Sequence, residues 1–398
     1  MIMGISRLAI VTFGVVLGVG IAKSDSALAA SFTGLGDLPG GDFTSAAIGL
    51  SADGSVVVGI SNSSSGDEAF RWTEAGGMQG LGDLPGGDFS SGASGVSADG
   101  SVVVGFGSSA SGRSGYETFR WTETGGMQGL GDGADGGFIS GIIDVSADGS
   151  IVVGTDGRSS SGREAFRWTE AGGIQGLGDL PGGFFNSSAS GVSADGSVVV
   201  GYSSSASGDE AFRWTKAGGI QGLGKLPGGR SSVAWDVSAD GSVVVGMGSS
   251  SNSGFEAFRW TESGGIQGLG DLPGGDFYSI AYGVSADGSV VVGSSSGGGA
   301  FIWNSTKGMR SLQQVLESDF ELNLTGWSLG TARAISNDGL TIVGYGTNPQ
   351  GNTEAWIARL DSNTEPVPEP LTILGSATAL GFGALFKREH VKYPNLLR

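Results

Sequence analysis

Residues 46–61 have the sequence AAIGLSADGSVVVGIS, and residues 68–82 have the sequence EAFRWTEAGGMQGLG. An Asp-Gly pair between two apolar runs is a strong cue for a β-hairpin, and the VVV run at 56–58 is typical of a strand that is buried on both faces. In AFRWT, Phe70 and Trp72 alternate with Arg71, so both rings lie on one face of a strand. Glu-Ala-Gly-Gly then supplies a turn into a last strand. The two stretches therefore predict four short β-strands.

The same pattern recurs seven times, and we number the copies as units 1 to 7. SADG begins at Ser51, Ser97, Ser146, Ser193, Ser238 and Ser285, and its relative SNDG begins at Ser336. GLGDLPGG begins at Gly34, Gly80, Gly129, Gly176, Gly222 and Gly268, with its third and fifth copies varied and a degenerate version, MRSLQQ, at Met309. Its intervals of 46 to 49 residues are typical of four-stranded propeller blades. We therefore predict that residues 30–361 form an all-β, seven-bladed β-propeller.

Each of the first six units carries two aromatic side chains in its AFRWT segment, and unit 7 carries one, with Ala358 in the Trp place. In the first six units these are Phe70/Trp72, Phe119/Trp121, Phe166/Trp168, Phe212/Trp214, Phe258/Trp260 and Phe301/Trp303, and in unit 7 Trp356 takes the Phe place. Aromatic rings of this kind either stack on sugars or fill the blade core. We favour the core, because every blade needs the same filler at the same place.

Two further sets of side chains recur. The arginines within the aromatic pairs (Arg71, Arg120, Arg167, Arg213, Arg259) form either a ring of anion ligands or structural bridges to an acidic neighbour such as the Asp of SADG, and we favour bridges. Carboxylates flank LPGG at Asp37/Asp42, Asp83/Asp88 and Asp271/Asp276, a pattern that suits Ca²⁺. Lys225 and Arg230 replace both carboxylates in one copy, and Phe184 replaces the second in another, so we favour solvated loops. We predict no metal, cofactor or catalytic residue.

The composition restricts the function classes. Gly contributes 79 of 398 residues, but 38% hydrophobic residues and nine tryptophans argue against a disordered chain. There is no Cys and the one His is His390, so the repeats lack the usual general base and cysteine nucleophile. Between the two terminal segments lie 15 of the 21 basic and 36 of the 39 acidic residues, a net charge of about −21. Such a surface repels nucleic acid and anionic lipid.

The N-terminal segment is typical of a secretory signal peptide. A short basic region precedes an apolar core of about 15 residues, and Ala27 and Ala29 form an A-x-A ending. We predict cleavage after Ala29, which makes residues 1–29 the signal peptide. Cleavage after Ala30 and an uncleaved anchor are the alternatives.

A second apolar segment follows a linker at 362–366. Val367, Pro368, Glu369 and Pro370 form an extended strip. Residues 371–386 then predict a short transmembrane helix, and Lys387 and Arg388 favour a cytoplasmic end. Residues 367–398 resemble the PEP-CTERM sorting signal, although the tail HVKYPNLLR is longer than usual. The resemblance implies recognition by an exosortase in Gram-negative bacteria that make extracellular polysaccharide; a plain tail anchor is the alternative.

The repeats resemble the HAF family of extracellular repeats through EAFRW, SADGSVVVG and GLGDLPGG, over about 330 residues. Glu68, Glu164 and Glu210 stand where that family has His. HAF repeats commonly accompany PEP-CTERM signals. The resemblance implies architecture and location, but no assigned activity.

We therefore predict an exported, non-catalytic surface or matrix protein. It passes through an inner-membrane-anchored stage, is sorted by an exosortase, and binds extracellular polysaccharide or protein. The alternative is a carboxylate-only glycan hydrolase or lyase, which a pair of acids that breaks the repeat symmetry would favour. Asp144, Asp236, Glu317 and Glu321 are irregular acids, but nothing in the sequence pairs them.

Two expectations concern the ends of the repeat array. The first strand, containing the GLGDL element at Gly34, should complete unit 7 beside residues 354–360, because the chain beyond those residues enters the linker. In the insertion of unit 7, the spacing of Leu312, Val315 and Leu316 predicts one short amphipathic helix.

The sorting hypothesis can be tested by replacing Pro368, Glu369 and Pro370 with Ala. Export should continue, but the protein should stay in the membrane fraction, because the extended strip is no longer recognised before the helix is removed. Cell fractionation and the mass of the mature protein provide the measurement. A variant that reaches its normal location at its normal mass would refute the hypothesis.

Overall fold

The computed structural model describes residues 30–110, 115–131, 138–158, 162–251 and 254–360, with side chains left out at 138–142 and 158. The predicted signal peptide (1–29), linker (362–366) and sorting segment (367–398), with its helix at 371–386, lie outside the described residues. Within the described ranges, no helix has the length and apolar character needed to cross a bilayer.

The described chain forms strands β1 to β28 and helix α1. The elements are β1 (Ser31–Gly34), β2 (Gly40–Leu50), β3 (Val56–Ser63), β4 (Gly66–Thr73), β5 (Gly77–Gly80), β6 (Gly86–Val96), β7 (Val102–Ser109), β8 (Tyr116–Thr122), β9 (Gly126–Gly129), β10 (Phe138–Val145), β11 (Ile151–Arg158), β12 (Gly162–Thr169), β13 (Gly173–Gly176), β14 (Gly182–Val192), β15 (Val198–Ser205), β16 (Gly208–Thr215), β17 (Gly219–Gly222), β18 (Ser232–Val237), β19 (Val243–Ser249), β20 (Phe255–Thr261), β21 (Gly265–Gly268), β22 (Ser279–Val284), β23 (Val290–Ser295), β24 (Gly299–Asn304), β25 (Gly308–Ser311), α1 (Leu312–Ser318), β26 (Ser328–Ile335), β27 (Thr341–Thr347) and β28 (Thr353–Arg359).

The strands form antiparallel sheets that follow the sequence units. Four-stranded sheets have the orders β2-β3-β4-β5, β6-β7-β8-β9, β18-β19-β20-β21, β22-β23-β24-β25 and β1-β28-β27-β26. The remaining eight strands, β10 to β17, form two antiparallel sets of four that are joined by one parallel bridge between Arg163 and Asn186. In each set, the strand that leads into SADG or SNDG is called the inner strand; these strands are β2, β6, β10, β14, β18, β22 and β26.

The SADG turn is held by its own side chains. Ser51 Oγ donates to Asp53 Oδ1 at 2.8 Å and accepts from the N–H of Val56 at 2.9 Å. Gly54 has a φ of 72°, a left-handed conformation that favours Gly. In unit 2, hydrogen bonds from Ser97 and Ser101 lower the pKa of Asp99 to about 2. The hairpin predicted from Asp-Gly is therefore fixed by contacts within six residues.

Backbone hydrogen bonds join each SADG turn to the next one. The N–H of Ala52 donates to the carbonyl of Ala98 at 3.1 Å, and the same bond recurs from Ala98 to Ala147, Ala147 to Ala194, Ala194 to Ala239, Ala239 to Ala286, and Ala286 to Asn337. The N–H of Asn337 then donates to Ala52 at 2.9 Å. The seven bonds form a cycle.

The hydrophobic core lies between neighbouring sheets. One cluster joins Val58 and Ala69 of unit 1 to Val103 and Phe119 of unit 2. The phenylalanines of the aromatic pairs (Phe70, Phe119, Phe166, Phe212, Phe258, Phe301) are completely buried. Of the predicted core tryptophans, Trp72 and Trp356 are buried, whereas Trp121, Trp168, Trp214, Trp260 and Trp303 are partly buried and pack against the clusters. Every sheet is thus covered by the sheets on either side of it.

The first strand of the described chain lies beside the last one. Ser31 of β1 pairs with Arg359 of β28, and Gly34 pairs with Trp356. The pairing strand is SFTG, and the GLGDL element mostly follows it as a turn, because the chain bends at Gly36, whose φ is 75°. Gly36 N–H donates to Glu354 Oε1 at 3.0 Å, which reproduces the bond from Gly82 to Glu68 inside the array.

The arginines of AFRWT bridge neighbouring units, but through the backbone. Arg71 Nε donates to the carbonyl of Gly100 at 3.3 Å, and Arg213 and Arg259 make the same bond to Gly241 and Gly288. We expected the Asp of SADG as the acceptor. In each following unit that Asp (Asp99, Asp240 or Asp287) accepts from the first serine of its own turn. The arginine therefore donates to the carbonyl of the glycine after the Asp.

The helix in unit 7 is confirmed. It begins after Ser311, whose side chain accepts from the N–H of Gln314, and it buries Leu312, Val315 and Leu316. It replaces the GLGDLPGG element at this junction.

We expect the contact between the chain ends to stabilise the fold as much as an internal junction does. The buried Ser45 Oγ accepts from the N–H of Ala355 at 3.0 Å and donates to the carbonyl of Gly36. Ser187 makes the same two bonds with Ala165 and Gly178. Ser45→Ala and Ser187→Ala should each lower the free energy of unfolding by about 1–3 kcal/mol, because a buried N–H loses its acceptor. Urea unfolding measures both; a negligible loss for Ser45→Ala alone would contradict the prediction.

Candidate functional site

All the large apolar side chains that are exposed within the described ranges lie at one end of the sheets. They are Phe43, Phe89, Tyr116, Phe184, Phe185, Phe255 and Tyr278, and Phe184 is the most exposed at 88%. This end carries the beginnings of the inner strands and the turns between the second and third strands; Gly40 at the start of β2, for example, pairs with Ser63 at the end of β3. The SADG turns lie at the opposite end. We call these seven residues the aromatic rim.

The rim follows the repeat. Phe43, Phe89 and Phe185 each stand two residues before the buried serine of their inner strand. Phe255 of unit 5 and Tyr278 of unit 6 meet edge to face, with ring centroids 5.9 Å apart. Neighbouring units therefore present aromatic rings side by side on one surface.

The LPGG carboxylates lie next to the rim. Asp83 Oδ2 accepts from the N–H of Ser90 at 2.9 Å, and Asp271 accepts from the N–H of Tyr278 at 2.9 Å and from Ser295 Oγ at 2.5 Å. The second carboxylate of each pair, at Asp42, Asp88 and Asp276, is exposed. No three His, Cys, Asp or Glu side chains in the described part of the chain group closely enough to hold a metal ion. The first carboxylate of the motif thus fixes a loop, and the second faces solvent.

A second group of side chains lines a cavity of about 210 Å³ that is bordered by all seven inner strands. We call this cavity the channel. Asp144 and Asp236 both border it. Asp144 accepts from the N–H groups of Val145 at 2.8 Å and Val192 at 3.0 Å, and Asp236 accepts from Val237 at 2.7 Å and Val284 at 2.9 Å. Each carboxylate therefore links its own unit to the next one.

The channel changes the titration of both acids. Burial raises the pKa of Asp144 to about 6. Burial, together with the charge of Asp144, raises the pKa of Asp236 to about 7. Both side chains are partly exposed to the channel, yet protein surrounds them on all sides, so they are remote from bulk water.

The sequence did not pair these two acids, although one pattern points to them. Asp144 and Asp236 occupy the same place in the two copies of DVSADG, where units 1, 2, 4 and 6 have Gly. Equivalent places in a cyclic array face the same axis, so the two replacements mark one site. The other irregular acids, Glu317 and Glu321, are exposed on and after α1, away from the channel.

Comparison with known proteins supports the fold. The chain matches no protein-family model, and no curated protein matches its sequence. An oligogalacturonate lyase in complex with manganese superimposes with a TM-score of 0.52 and 13% identity, over 85% of this chain and 98% of that one. TolB from Acinetobacter baumannii has a TM-score of 0.45 and 11% identity over 78% of this chain, which spans 65% of the TolB length. The Dos1 propeller has a TM-score of 0.43 and 11% identity, over 79% of this chain and 78% of that one.

These similarities are all below 15% identity and concern architecture. The four-stranded antiparallel sheets, with the superposition on the oligogalacturonate lyase at a TM-score of 0.52, describe an all-β, propeller-like fold. At this level of identity, the activity of a neighbour does not transfer to this chain.

Stability should depend on pH in opposite directions on the two sides of about pH 4. Asp99 has a pKa lowered from 3.8 to about 2, so its stabilising contribution exists above 3.8 and is lost as the pH falls toward 2. Asp144 and Asp236 have raised pKa values, so their contribution exists below 3.8 and is lost as the pH rises through about 6 and 7. We expect the free energy of unfolding to be highest near pH 4 and to decline from there to about pH 7.

Urea unfolding at several pH values measures this profile. The double variant Asp144→Gly/Asp236→Gly, which carries the residue of units 1, 2, 4 and 6, should be less stable near pH 4 but should lose the decline between about pH 4 and 7. The loss on the acid side should remain. A double variant that declines as steeply as the wild type between about pH 4 and 7 would contradict the assignment.

Proposed function

We propose that this chain is an exported, non-catalytic protein of the extracellular layer, built as a seven-bladed propeller that is closed by its first strand, and that its aromatic rim binds polysaccharide. Sorting by an exosortase, after a stage anchored in the inner membrane through residues 371–386, brings it to the cell surface. A surface protein is the other kind of ligand that we propose for the same rim. The observation that carries it is the confinement of the exposed aromatic side chains to one end of the sheets.

Exposed aromatic rings need an explanation, because contiguous apolar surface on soluble proteins usually marks a binding site. Phe184 is 88% exposed and Phe43 38% exposed, so their rings are accessible without rearrangement. Flat rings suit the apolar faces of sugar rings. Exposed carboxylates such as Asp42 and Asp88 can accept hydrogen bonds from sugar hydroxyls. The rim thus combines stacking surfaces with acceptors.

The charge of the repeats selects among polysaccharides. With 36 acidic and 15 basic residues outside the two terminal segments, the surface repels polyanions. The one unit with basic side chains beside LPGG is unit 5, and there Lys225 Nζ donates to the carbonyl and the hydroxyl of Ser207. The ligand that fits the rim is a neutral polysaccharide.

One observation favours a second candidate function. Asp144 and Asp236 break the repeat symmetry and border the same cavity, and the charge of Asp144 acts on Asp236. Two carboxylates at one site are the usual requirement for glycan cleavage. A carboxylate-only glycan hydrolase or lyase therefore stays the alternative.

The proposal is tested by measuring binding of the purified chain to an array of neutral and uronate-containing polysaccharides. Neutral polymers should bind more tightly. The triple variant Phe43→Ser/Phe89→Ser/Phe185→Ser should bind at least tenfold more weakly, because aromatic anchors contribute about 1–2 kcal/mol each at a binding surface. Unit 7 has Ser328 at the equivalent place, so the fold accommodates this residue.

Gln79→Ala, on the exposed outer strand β5, is the matched control and should bind like the wild type. Unchanged binding by the triple variant would remove the rim from the proposal. Release of reducing ends that is abolished in Asp144→Gly/Asp236→Gly would favour the enzymatic alternative.

A further inference from the structure

The side chains at one position of the inner strand differ strongly in size and polarity among the seven units. The register of each inner strand shifts shortly before SADG or SNDG, and the shift leaves the third residue before that turn without a partner on the neighbouring strand. In unit 6, for example, Ala281 pairs with Gly293 and Gly283 with Val292, which leaves Tyr282 unpaired. A bulge redirects the side chain that it carries, and bulges are frequent beside functional sites. Here the redirected side chains all border the channel.

The bulge residues divide the channel wall into two halves. Units 1 to 4 contribute small or apolar side chains, namely Ile48, Ser94, Ile143 and Ser190. Units 5 to 7 contribute Trp235, Tyr282 and Arg333. By contrast, the residue before the bulge is a buried Ala in units 1, 2, 4, 5, 6 and 7. A position that only fills space needs the same filler in every unit, so filling does not account for the three large polar side chains.

Trp235, Tyr282 and Arg333 contact one another in sequence. The ring centroids of Trp235 and Tyr282 are 5.8 Å apart with the ring planes tilted by 59°, and the guanidinium carbon of Arg333 lies 4.2 Å from the centroid of Tyr282. This half of the wall offers aromatic faces and one positive charge.

Asp144 and Asp236 supply the acceptors. Each carboxylate oxygen receives one backbone N–H bond, which fixes its position and leaves it a further lone pair. Neither acid has a Lys or Arg within ion-pair distance in the described part of the chain. The channel therefore contains fixed acceptors beside aromatic faces in the same small space.

The combination restricts the ligand. A cation would meet the charge of Arg333, and a carboxylate would face two aspartates. A neutral molecule with hydroxyl groups donates to both carboxylates without meeting a like charge. The volume of about 210 Å³ is below the roughly 300–1,000 Å³ of pockets for larger ligands, so the channel accommodates one small molecule rather than a polymer segment.

We propose that the channel binds a single small, neutral, polyhydroxylated molecule of the size of one sugar ring. Its hydroxyls donate to Asp144 and Asp236, and its apolar face lies against Trp235 and Tyr282. This site is separate from the aromatic rim, and the inference does not depend on polysaccharide binding there.

The test is isothermal titration calorimetry on the purified chain with glucose, galactose and mannose, and with galacturonate, glucosamine and CaCl₂ as the charged comparisons. At least one neutral sugar should bind with one site per chain. Trp235→Ser and Tyr282→Ser introduce the residue of units 2 and 4, and Asp236→Gly introduces that of units 1, 2, 4 and 6, so each change has a precedent within the fold. Each should weaken binding about tenfold or more.

Ile48→Ser, on the other half of the wall, is the matched control and should change the affinity less than threefold. The rim variant Phe43→Ser/Phe89→Ser/Phe185→Ser should leave binding of the free sugar unchanged, which separates this site from the proposed polysaccharide surface. Absence of binding for every neutral sugar, binding of the charged probes alone, or an affinity that Trp235→Ser and Asp236→Gly leave unaltered would each overturn the proposal.

Discussion

Each four-stranded sheet has apolar side chains on both faces, so it needs a neighbouring sheet on each side. Val58 and Ala69 of unit 1 pack with Phe119 of unit 2, and the same type of cluster recurs at the other seams. An array that simply ended would leave one apolar face open at each end. The pairing of β1 with β28 and the cluster that joins Phe70 to Val343 and Ile357 cover those faces. The other features of the structure thus depend on one constraint, which is that both faces of every sheet must be covered.

Several recurring polar residues stabilise these seams, which are the contacts between neighbouring sheets. Glu68 accepts the N–H of Gly82 on the following turn, and Ser91 accepts the N–H of Ala69 across the seam. Where unit 6 has Gly299 in the Glu place, the chain has α1 in place of the GLGDLPGG turn. The acid and the turn therefore occur together and are absent together. This gives the Glu a structural role in the fold.

The repeated scaffold also confines the differences between units to a few positions. The turns, seams and core require the same residues in every unit, because each unit meets the same neighbours. The bulge on the inner strand releases one side chain per unit from this requirement, and Trp235, Tyr282 and Arg333 occupy the released positions. At the far end of the same strands, the position that holds Phe43 of the aromatic rim in unit 1 varies in a similar way and holds Arg230 in unit 5. Binding chemistry can change at both places without a cost to the seams.

The sequence by itself determined the period, the four strands of each unit, the SADG hairpin, the short helix and the pairing of the first strand with the last. These features depend on contacts that are local or that repeat identically, and hydrophobic alternation and turn residues record such contacts directly. The acceptors of Arg71 and its equivalents, the exposure of the rim phenylalanines and the meeting of Asp144 with Asp236 were decided only by the tertiary structure. Asp144 and Asp236 belong to different units and lie close only because successive inner strands turn about one channel. The sequence pattern specifies each unit separately. The angle between units arises from the packing of one sheet on the next, and this angle determines which residues face the same channel.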